Sequence, residues 1–242
     1  MIESVAETGS TNADLLVLAR QGTPEGYWLR ADLQTGGRGR LGRDWSSPRG
    51  NLYASTLVRI AVGDPPAHTL SLVTAIALYD TVRHFAPRGE VIIKWPNDLL
   101  LNGNKLAGIL LERQDDAVVV GVGVNLAFAP QLPDRLTAAL SQIIAAPEPH
   151  AFCAELAIRF AKTLGQWREQ GLGTTIEQWM ARAHPIGTTL STTGPDCKRI
   201  MGSFSGLTDD ALLNLRLPGG ESVTIHSGDI EMERSRGDAA RD

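Results

Sequence analysis

The sequence is short of lysine and cysteine and has no long apolar run. Only four of its 23 basic residues are lysine, and its only cysteines are Cys153 and Cys197. The two thiols lack the spacing of a metal site, so we expect both to be reduced and non-catalytic. No apolar run approaches the roughly 20 residues of a membrane-spanning helix, and the N-terminus lacks the basic start of a signal peptide. These absences predict a cytoplasmic protein with no membrane partner.

An excess of positive charge is also absent. The formal net charge of the 242-residue chain is −4, which gives no general attraction to nucleic acid, so we expect no DNA partner. With 43% hydrophobic residues the chain can bury a full core, and its length suits one large domain with a small appendage. The basic residues that are present therefore act locally.

The most informative segment runs from Gly36 to Trp45 and reads Gly-Gly-Arg-Gly-Arg-Leu-Gly-Arg-Asp-Trp. Its glycines let other atoms approach the backbone, and Arg38, Arg40 and Arg43 supply planar cations that suit a phosphate or a carboxylate. Trp45 offers a flat face to a nucleobase or an apolar ligand. We call this segment the anion loop and predict that it binds an anion between two strands. The alternative is a solvated basic loop whose tryptophan packs into the core.

The scarcity of lysine draws attention to Lys94 and Lys105. A chain that uses arginine elsewhere can need a compact ammonium group at the positions where it keeps lysine. Lys94 follows the apolar run 91–93, where a lysine is seldom buried without an anionic partner. That partner is either Asp98, nearby in the chain, or a carboxylate or phosphate of a ligand.

Two polar clusters lie at the ends of predicted elements. Ser10-Thr11-Asn12 precedes an apolar helix, so these residues can cap the helix or bind a polar ligand at the positive end of its dipole. Asn125 ends a strand that carries Gly121 and Gly123, which allow close approach. The apolar loop 128–134 that follows can close over a ligand as a lid or pack permanently on the body of the protein.

Hydrophobic periodicity predicts an α+β fold that ends in a run of short strands. Predicted helices cover residues 13–20, 68–85, 151–170 and 174–183. Predicted strands cover residues 27–32, 51–58, 91–95, 99–101, 105–112, 117–125, 188–192, 199–204, 211–217 and 222–226. We therefore predict a first domain of residues 1–184, a small β-barrel of residues 185–234 and a disordered tail of residues 235–242.

Four motifs in a fixed order make the sequence resemble the biotin protein ligases. They are Gly-Arg-Gly-Arg-Leu-Gly-Arg-Asp-Trp, Lys-Trp-Pro-Asn-Asp, Lys-Leu-Ala-Gly-Ile-Leu and Gly-Val-Gly-Val-Asn, and the resemblance covers about residues 5–233. It implies a central mixed, largely antiparallel sheet flanked by helices, similar to class II synthetases, and a C-terminal SH3-like barrel. It also implies that biotin and ATP give biotinyl-5′-AMP and pyrophosphate. Biotin then passes to a lysine of the biotin carboxyl carrier protein domain of a carboxylase.

The resemblance also implies roles for individual residues. Biotin would be bound by Ser10, Thr11, Asn12, Gln34, Gly37, Arg38, Gly39, Arg40, Lys94 and Gly108. ATP and the adenylate would contact Arg40, Arg43, Trp45, Asn97 and Asn125. Lys94, Arg38 and Arg40 would be catalytic, because they offset the repulsion between a carboxylate and the α-phosphate. We expect Mg²⁺ on the ATP phosphates and name no protein ligand for it.

The sequence departs from the family pattern at two points. Some relatives carry a DNA-binding domain ahead of this core, whereas here the core begins close to Met1, so we expect no repressor function. Leu41 stands where some members have a basic residue, which can alter how the adenylate is retained.

Two other functions stay open. One is a lipoate-protein ligase, although Ser10-Thr11-Asn12 and Gln34 favour a ureido ring over a dithiolane. The other is a non-catalytic sensor of biotin or biotinyl-adenylate. The resemblance is compatible with a monomer or a homodimer.

Overall fold

The structure, a computed structural model, describes residues 1–133, 135–193 and 198–232. These residues form a seven-stranded sheet, three α-helices and a five-stranded sheet. The strands of the first sheet are β1 (Ile2–Val5), β2 (Trp28–Ala31), β3 (Leu52–Arg59), β4 (Val91–Lys94), β5 (Asp98–Leu101), β6 (Asn104–Gln114) and β7 (Ala117–Val124). The helices are α1 (Thr11–Arg20), α2 (Leu70–Phe85) and α3 (Pro149–Met180). The predicted α+β class is confirmed.

The first sheet is mixed, as the resemblance implies. Its strand order is β1-β2-β3-β7-β6-β5-β4, with β1 parallel to β2 and all other neighbours antiparallel. Every strand predicted in this part of the chain forms, and its ends lie within two residues of the predicted ones. The sequence analysis missed β1, because a four-residue edge strand with two exposed and two half-buried residues shows no apolar alternation.

The helices cover both faces of the first sheet. Successive residues of a strand point to opposite faces, so β7 contributes Val118 and Val120 to the main core with α2 and α3, and Val119 to a smaller core under α1. Helix α3 contains Gly171 at a φ of 78°, which breaks the helical backbone. The two predicted helices are therefore the two parts of one broken element.

The second sheet corresponds to the small β unit predicted near the C-terminus. Its strands are β8 (Thr189–Thr193), β9 (Arg199–Leu207), β10 (Leu213–Arg216), β11 (Ser222–Ile225) and β12 (Glu231–Met232). They are antiparallel in the order β11-β10-β9-β8-β12. Sequence analysis missed β12, which is too short to show a pattern. Phe204 and Leu213 belong to the same buried cluster as the first sheet, and the domain boundary at residue 185 remains a prediction.

Residues 228–230, just before β12, attach the second sheet to the first. Nζ of Lys94 donates a hydrogen bond to the carbonyl oxygen of Ile230 at 2.9 Å. The guanidinium of Arg43 pairs with Asp229 at 2.8 Å. These contacts place the second sheet beside the anion loop.

Cys153 is buried in α3, and burial raises the pKa of its thiol to about 12, as suits a non-catalytic cysteine. None of the helices formed by the described residues combines the length and the apolar character that crossing a bilayer requires. Cys197 and residues 235–242 lie outside the described residues.

Candidate functional site

A cavity of about 270 Å³ opens beside the N-terminus of α1, over strands β6 and β7. All of the predicted site residues except Gly37 and Lys94 line it. These residues are Ser10, Thr11, Asn12, Gln34, Arg38, Gly39, Arg40, Arg43, Trp45, Asn97, Gly108 and Asn125. Because residues from the first helix, the anion loop and several strands meet here, the cavity is the candidate functional site.

Three glycines of β6 and β7 form the floor of the cavity. A Cβ atom added to Gly121 would lie 2.1 Å from Oδ1 of Asn12, and one added to Gly123 would lie 2.5 Å from the indole of Trp45. At Gly108, the distance to the same indole would be 3.0 Å. Any larger residue would therefore displace Asn12 or Trp45. The close approach predicted at Gly121 and Gly123 is the approach of these two side chains.

One end of the cavity, which we call the polar end, consists of Ser10, Thr11, Asn12 and Gln34. Ser10 caps α1, and its hydroxyl accepts from the N–H of Ala13 at 3.5 Å. Oε1 of Gln34 accepts from the backbone N–H of Thr11 at 2.9 Å. Ser10, Thr11 and Asn12 are all buried. The cluster therefore caps the helix and also lines the cavity.

The opposite end, which we call the anion end, consists of the anion loop and Lys105. The loop folds back on itself, because the N–H of Gly39 donates to the carbonyl of Arg43 at 2.7 Å and the N–H of Trp45 donates to the carbonyl of Gly37 at 3.0 Å. Gly37 does not line the cavity. A Cβ atom there would lie 2.6 Å from the carbonyl oxygen of Trp45, so glycine is needed for this closure.

The arginines of the anion loop differ in what holds them. Arg38 is exposed, and no hydrogen bond or ion pair fixes its guanidinium in the described part of the chain. Arg40 donates to Oδ1 of Asn97 at 3.1 Å, and Arg43 pairs with Asp229. Leu41 is 80% exposed, with a φ of 57°. The loop therefore presents one free cation and two cations held by the rest of the protein.

The structure does not bring Lys94, predicted to be catalytic, to the cavity. Its ammonium donates to the carbonyl of Ile230 and lies 3.3 Å from a carboxylate oxygen of Asp98, the alternative partner given above. Asp98 also pairs with Lys105 at 2.6 Å. Lys105 lines the cavity, with Nζ 5.5 Å from the ring centroid of Trp45. The ammonium that faces the cavity thus belongs to Lys105, because Lys94 turns toward the second sheet.

The buried carboxylate of Asp98 couples the two lysines. Burial acts to raise the pKa of Asp98, but the positive charges of Lys105 and Lys94 hold it below its ordinary value. Burial lowers the pKa of Lys105, and Asp98 offsets this effect only in part. A further anion beside Lys105 would therefore stabilise the charged form of this lysine.

The sequence analysis assigned no ligand-binding role to five polar residues that line the cavity. They are Asp98, Lys105, Arg135, Thr137 and Asp229. The scarcity of lysine indicated Lys105, but the motif Lys-Trp-Pro-Asn-Asp directed the role to Lys94. Nothing in the sequence marked Asp229, because its place at the cavity depends on how the second sheet packs on the first.

Asn125 lies at the end of β7, beside the loop predicted as a possible lid. It is buried, its Nδ2 donates to the carbonyl of Ala138 at 3.0 Å, and no described residue donates to its Oδ1. Pro130 and Leu132 line the cavity, whereas Phe128 is 56% exposed. The loop therefore packs beside the cavity with part of its apolar surface exposed, and closure over a ligand remains a prediction.

The described residues offer no metal site built from a cluster of protein ligands alone. The described residues contain no group of three or more histidine, cysteine, aspartate or glutamate side chains able to hold one. Three carboxylates line the cavity: those of Asp98 and Asp229 are engaged in ion pairs with lysine or arginine, and the third belongs to Asp44.

Comparisons with known proteins identify the family to which this chain is similar. The model of the biotin/lipoate A/B protein ligase family matches residues 7–126. A biotin–acetyl-CoA-carboxylase ligase of Paracoccus denitrificans is 39% identical over 232 residues, which cover 90% of this chain and 95% of the relative. The enzyme of the same name from Mycobacterium tuberculosis is 36% identical over 237 residues, which cover 95% of this chain and 88% of the relative. A solved structure of biotin protein ligase from Aquifex aeolicus with biotin and ATP has a TM-score of 0.83 at 25% identity, covering 97% of this chain and 99% of that one.

Proposed function

The chain belongs to the biotin/lipoate A/B protein ligase family and is a biotin protein ligase, and we propose that it joins biotin to ATP and then transfers biotin to a carrier protein. Its relatives are named as ligases that act on acetyl-CoA carboxylase, and the similar Aquifex protein was solved with biotin and ATP. One observation carries the proposal: a neutral polar end and a cationic end meet in one cavity over a glycine floor.

We place the ureido ring of biotin at the polar end. Ser10 can donate its hydroxyl proton there, and Thr11 and Gln34 offer acceptor oxygens, which suits a cyclic urea with two N–H groups and one carbonyl. The acyl chain then runs through the cavity beside Asn12 and Trp45, whose side chains pack on Gly121 and Gly123. Its carboxylate reaches the anion end.

The first reaction joins two anions, so it needs positive charge. A carboxylate oxygen of biotin attacks the α-phosphorus of ATP, and the bond from this phosphorus to the bridging oxygen breaks, releasing pyrophosphate. Arg38, Arg40 and Lys105 offset the repulsion between the reactants and stabilise the charge that develops on the phosphoryl oxygens. We assign to Lys105 the role that the sequence analysis gave to Lys94.

The second reaction needs no covalent bond to the enzyme. A neutral lysine amine of the carrier attacks the acyl carbon of biotinyl-5′-AMP, AMP leaves with the bonding electrons, and the amine loses a proton. The proposed partner is the biotin carboxyl carrier protein domain of a carboxylase. Because water also cleaves the mixed anhydride, the anion loop and residues 128–133 would protect it by excluding water.

The nucleotide lies between the anion loop and the loop after β7 in this proposal. The indole of Trp45 offers a face to the adenine, and the unpartnered Oδ1 of Asn125 can accept from an amino group. Arg43 and Asn97 lie on the phosphate side of the cavity. Mg²⁺ enters with ATP as part of the substrate, coordinated in part by phosphate and water, and we name no protein ligand for it.

Transfer of lipoate remains the nearest alternative, and a non-catalytic sensor is the other. The experiment is exchange of labelled pyrophosphate into ATP with biotin, with lipoate and with neither. We expect exchange only with biotin. Exchange with lipoate alone would contradict the substrate, and biotin binding without exchange would favour the sensor. Transfer of labelled biotin to a purified carrier domain tests the second reaction, while the absence of repressor function and the oligomeric state remain predictions.

A further inference from the structure

We propose that Glu112, which does not line the cavity, fixes the direction of the hydroxyl protons at the polar end and so makes this end select ligands whose head carries an N–H donor. The inference rests on the proposed function, since it concerns the ureido ring of biotin. Glu112 is a positioning residue here, because it acts on the ligand through Asn12.

The first step is the orientation of the Asn12 amide. Nδ2 of Asn12 donates to a carboxylate oxygen of Glu112 at 2.8 Å. A carboxylate can only accept, so the amide nitrogen must face Glu112 and Oδ1 must face away from it. Oδ1 then lies 2.6 Å from the hydroxyl of Ser55. Asn12 is 4% exposed and Ser55 is fully buried, so water does not replace either partner.

The oxygen atoms at the polar end make more contacts than they have hydroxyl protons. Three oxygen–oxygen contacts follow one another: Asn12 Oδ1 to Ser55 Oγ at 2.6 Å, Ser55 Oγ to Thr11 Oγ1 at 2.7 Å, and Thr11 Oγ1 to Gln34 Oε1 at 3.1 Å. Only Ser55 and Thr11 carry a hydroxyl proton. The Ser55 proton goes to Asn12, whose oxygen can only accept. The Thr11 proton then goes to Ser55, because that contact is shorter than the contact with Gln34.

The third step is the consequence for a ligand. Oε1 of Gln34 faces Thr11, since it accepts the backbone N–H of Thr11 while Nε2 donates to Ser47 at 3.1 Å. Two acceptor oxygens, Thr11 Oγ1 and Gln34 Oε1, thus face each other at the cavity wall with no proton between them. An N–H group of a cyclic urea supplies the missing donor. The dithiolane ring of lipoate has no such group, so the contact between these two oxygens stays without a proton.

The substitution Glu112→Gln tests this inference, because an amide at this position can donate as well as accept. The Asn12 amide can then turn over, donate to Ser55 and send the protons of Ser55 and Thr11 toward Gln34. Every contact in the chain has a proton in that arrangement, at the expense only of the long hydrogen bond of 3.5 Å from Nδ2 of Asn12 to the carbonyl oxygen of Leu110. The arrangement that lacks a proton between Thr11 and Gln34, and so accepts the N–H of biotin, is then less populated. We therefore expect biotin to bind about tenfold more weakly.

The readout separates positioning from a general loss of structure. The Kd values of biotin and of desthiobiotin, which has the same ureido head, rise by the same factor in Glu112→Gln. The KM for ATP and kcat at saturating biotin change less than twofold. Gln114→Glu, two residues further along β6 and hydrogen-bonded to Arg20, serves as the control and leaves all of these constants unchanged. An unchanged Kd for biotin, or equal losses for biotin and ATP, would overturn the inference.

A double-mutant cycle provides the second measurement. Ser55→Ala interrupts the chain between Asn12 and Thr11, so Glu112→Gln added to it should change the Kd of biotin less than twofold. A full tenfold effect in both backgrounds would contradict the relay. If the wild type exchanges pyrophosphate in the presence of biotin but Glu112→Gln leaves the Kd of biotin unchanged, this inference is wrong and the proposed function stands. If the wild type neither binds biotin nor supports exchange, the proposed function is wrong as well.

Discussion

The polar end and the anion end of the cavity are built in opposite ways. Thr11 and Asn12 are each 4% exposed and belong to a chain of short hydrogen bonds, whereas Arg38 is exposed and the side chain of Arg43 is 38% exposed. A buried polar group discriminates strongly, because leaving it unpaired is costly. An exposed cation discriminates little but offsets negative charge. Selection of the ligand ring therefore resides in helix and sheet, whereas charge compensation is shared between an exposed loop and one buried lysine of β6.

Lys105 gives the largest expected effect, because it is the buried cation of the anion end, with its side chain 14% exposed. We expect Lys105→Met to lower kcat/KM for adenylate formation by about 10²–10³-fold, the range seen when one transition-state donor is removed. Biotin-dependent pyrophosphate exchange measures the loss.

Lys94→Met is the matched control for Lys105→Met. Each variant removes one of the two ammonium groups beside Asp98, so the effect on this buried carboxylate is comparable. Because Lys94 does not line the cavity, we expect a loss below about tenfold, consistent with a positioning effect. Equal losses in the two variants would contradict the assignment of the cavity ammonium to Lys105 and would restore Lys94 as the candidate.

Gly121→Ala tests the rigidity of the polar end. The added methyl group would lie 2.1 Å from Oδ1 of Asn12, so Asn12 must leave its contacts with Ser55 and Glu112. We expect biotin binding to weaken by about tenfold or more, in line with the cost of overpacking a buried site. Isothermal titration with biotin measures this loss, and ATP binding alone should change little.

Gly165→Ala is the control for Gly121→Ala. Gly165 lies in α3, where an added Cβ has nothing within 4 Å and the φ angle is ordinary. Alanine is the better helix former, so this variant should leave biotin binding unchanged and slightly stabilise the protein. If both variants bind biotin as the wild type does, the polar end is more plastic than the comparison with the anion end implies.

Salt separates the two ends without any mutation. Exposed cations are screened by added ions, whereas buried hydrogen bonds are not. Raising the KCl concentration should therefore increase the KM for ATP several-fold. The Kd of biotin amide, which has the ureido ring but no carboxylate, should change less than twofold. A parallel rise in both constants would show that the two ends do not differ in this way.

The features of the two ends that depend on local sequence could be predicted, whereas those that depend on packing could not. Ser10-Thr11-Asn12 and the anion loop are local signals, and the structure brings both to one cavity. Lys94 was predicted at the ligand site, but Lys105 lines the cavity instead. The direction of a side chain at a strand end depends on what packs beside it, in this case residues 228–230. Strands β1 and β12 escaped prediction for a related reason: each is an edge strand of few residues, formed by its neighbours rather than by its own pattern.

Asp229→Asn gives the smallest expected effect and tests whether the second sheet tunes the anion end. The carboxylate of Asp229 lines the cavity and pairs with Arg43, but half of its side chain is exposed, so the pair itself contributes only about 0–1 kcal/mol. Removing this negative charge frees Arg43 and reduces repulsion of the nucleotide, so we expect the KM for ATP to fall about two- to threefold at low salt, with biotin binding unchanged. Glu231→Gln makes the same change in net charge on a side chain that is 73% exposed and does not line the cavity, and it should leave both constants unchanged. A rise in the KM for ATP in Asp229→Asn would instead mean that Asp229 holds Arg43 in place for the phosphates, which would make the anion end as dependent on fixed partners as the polar end.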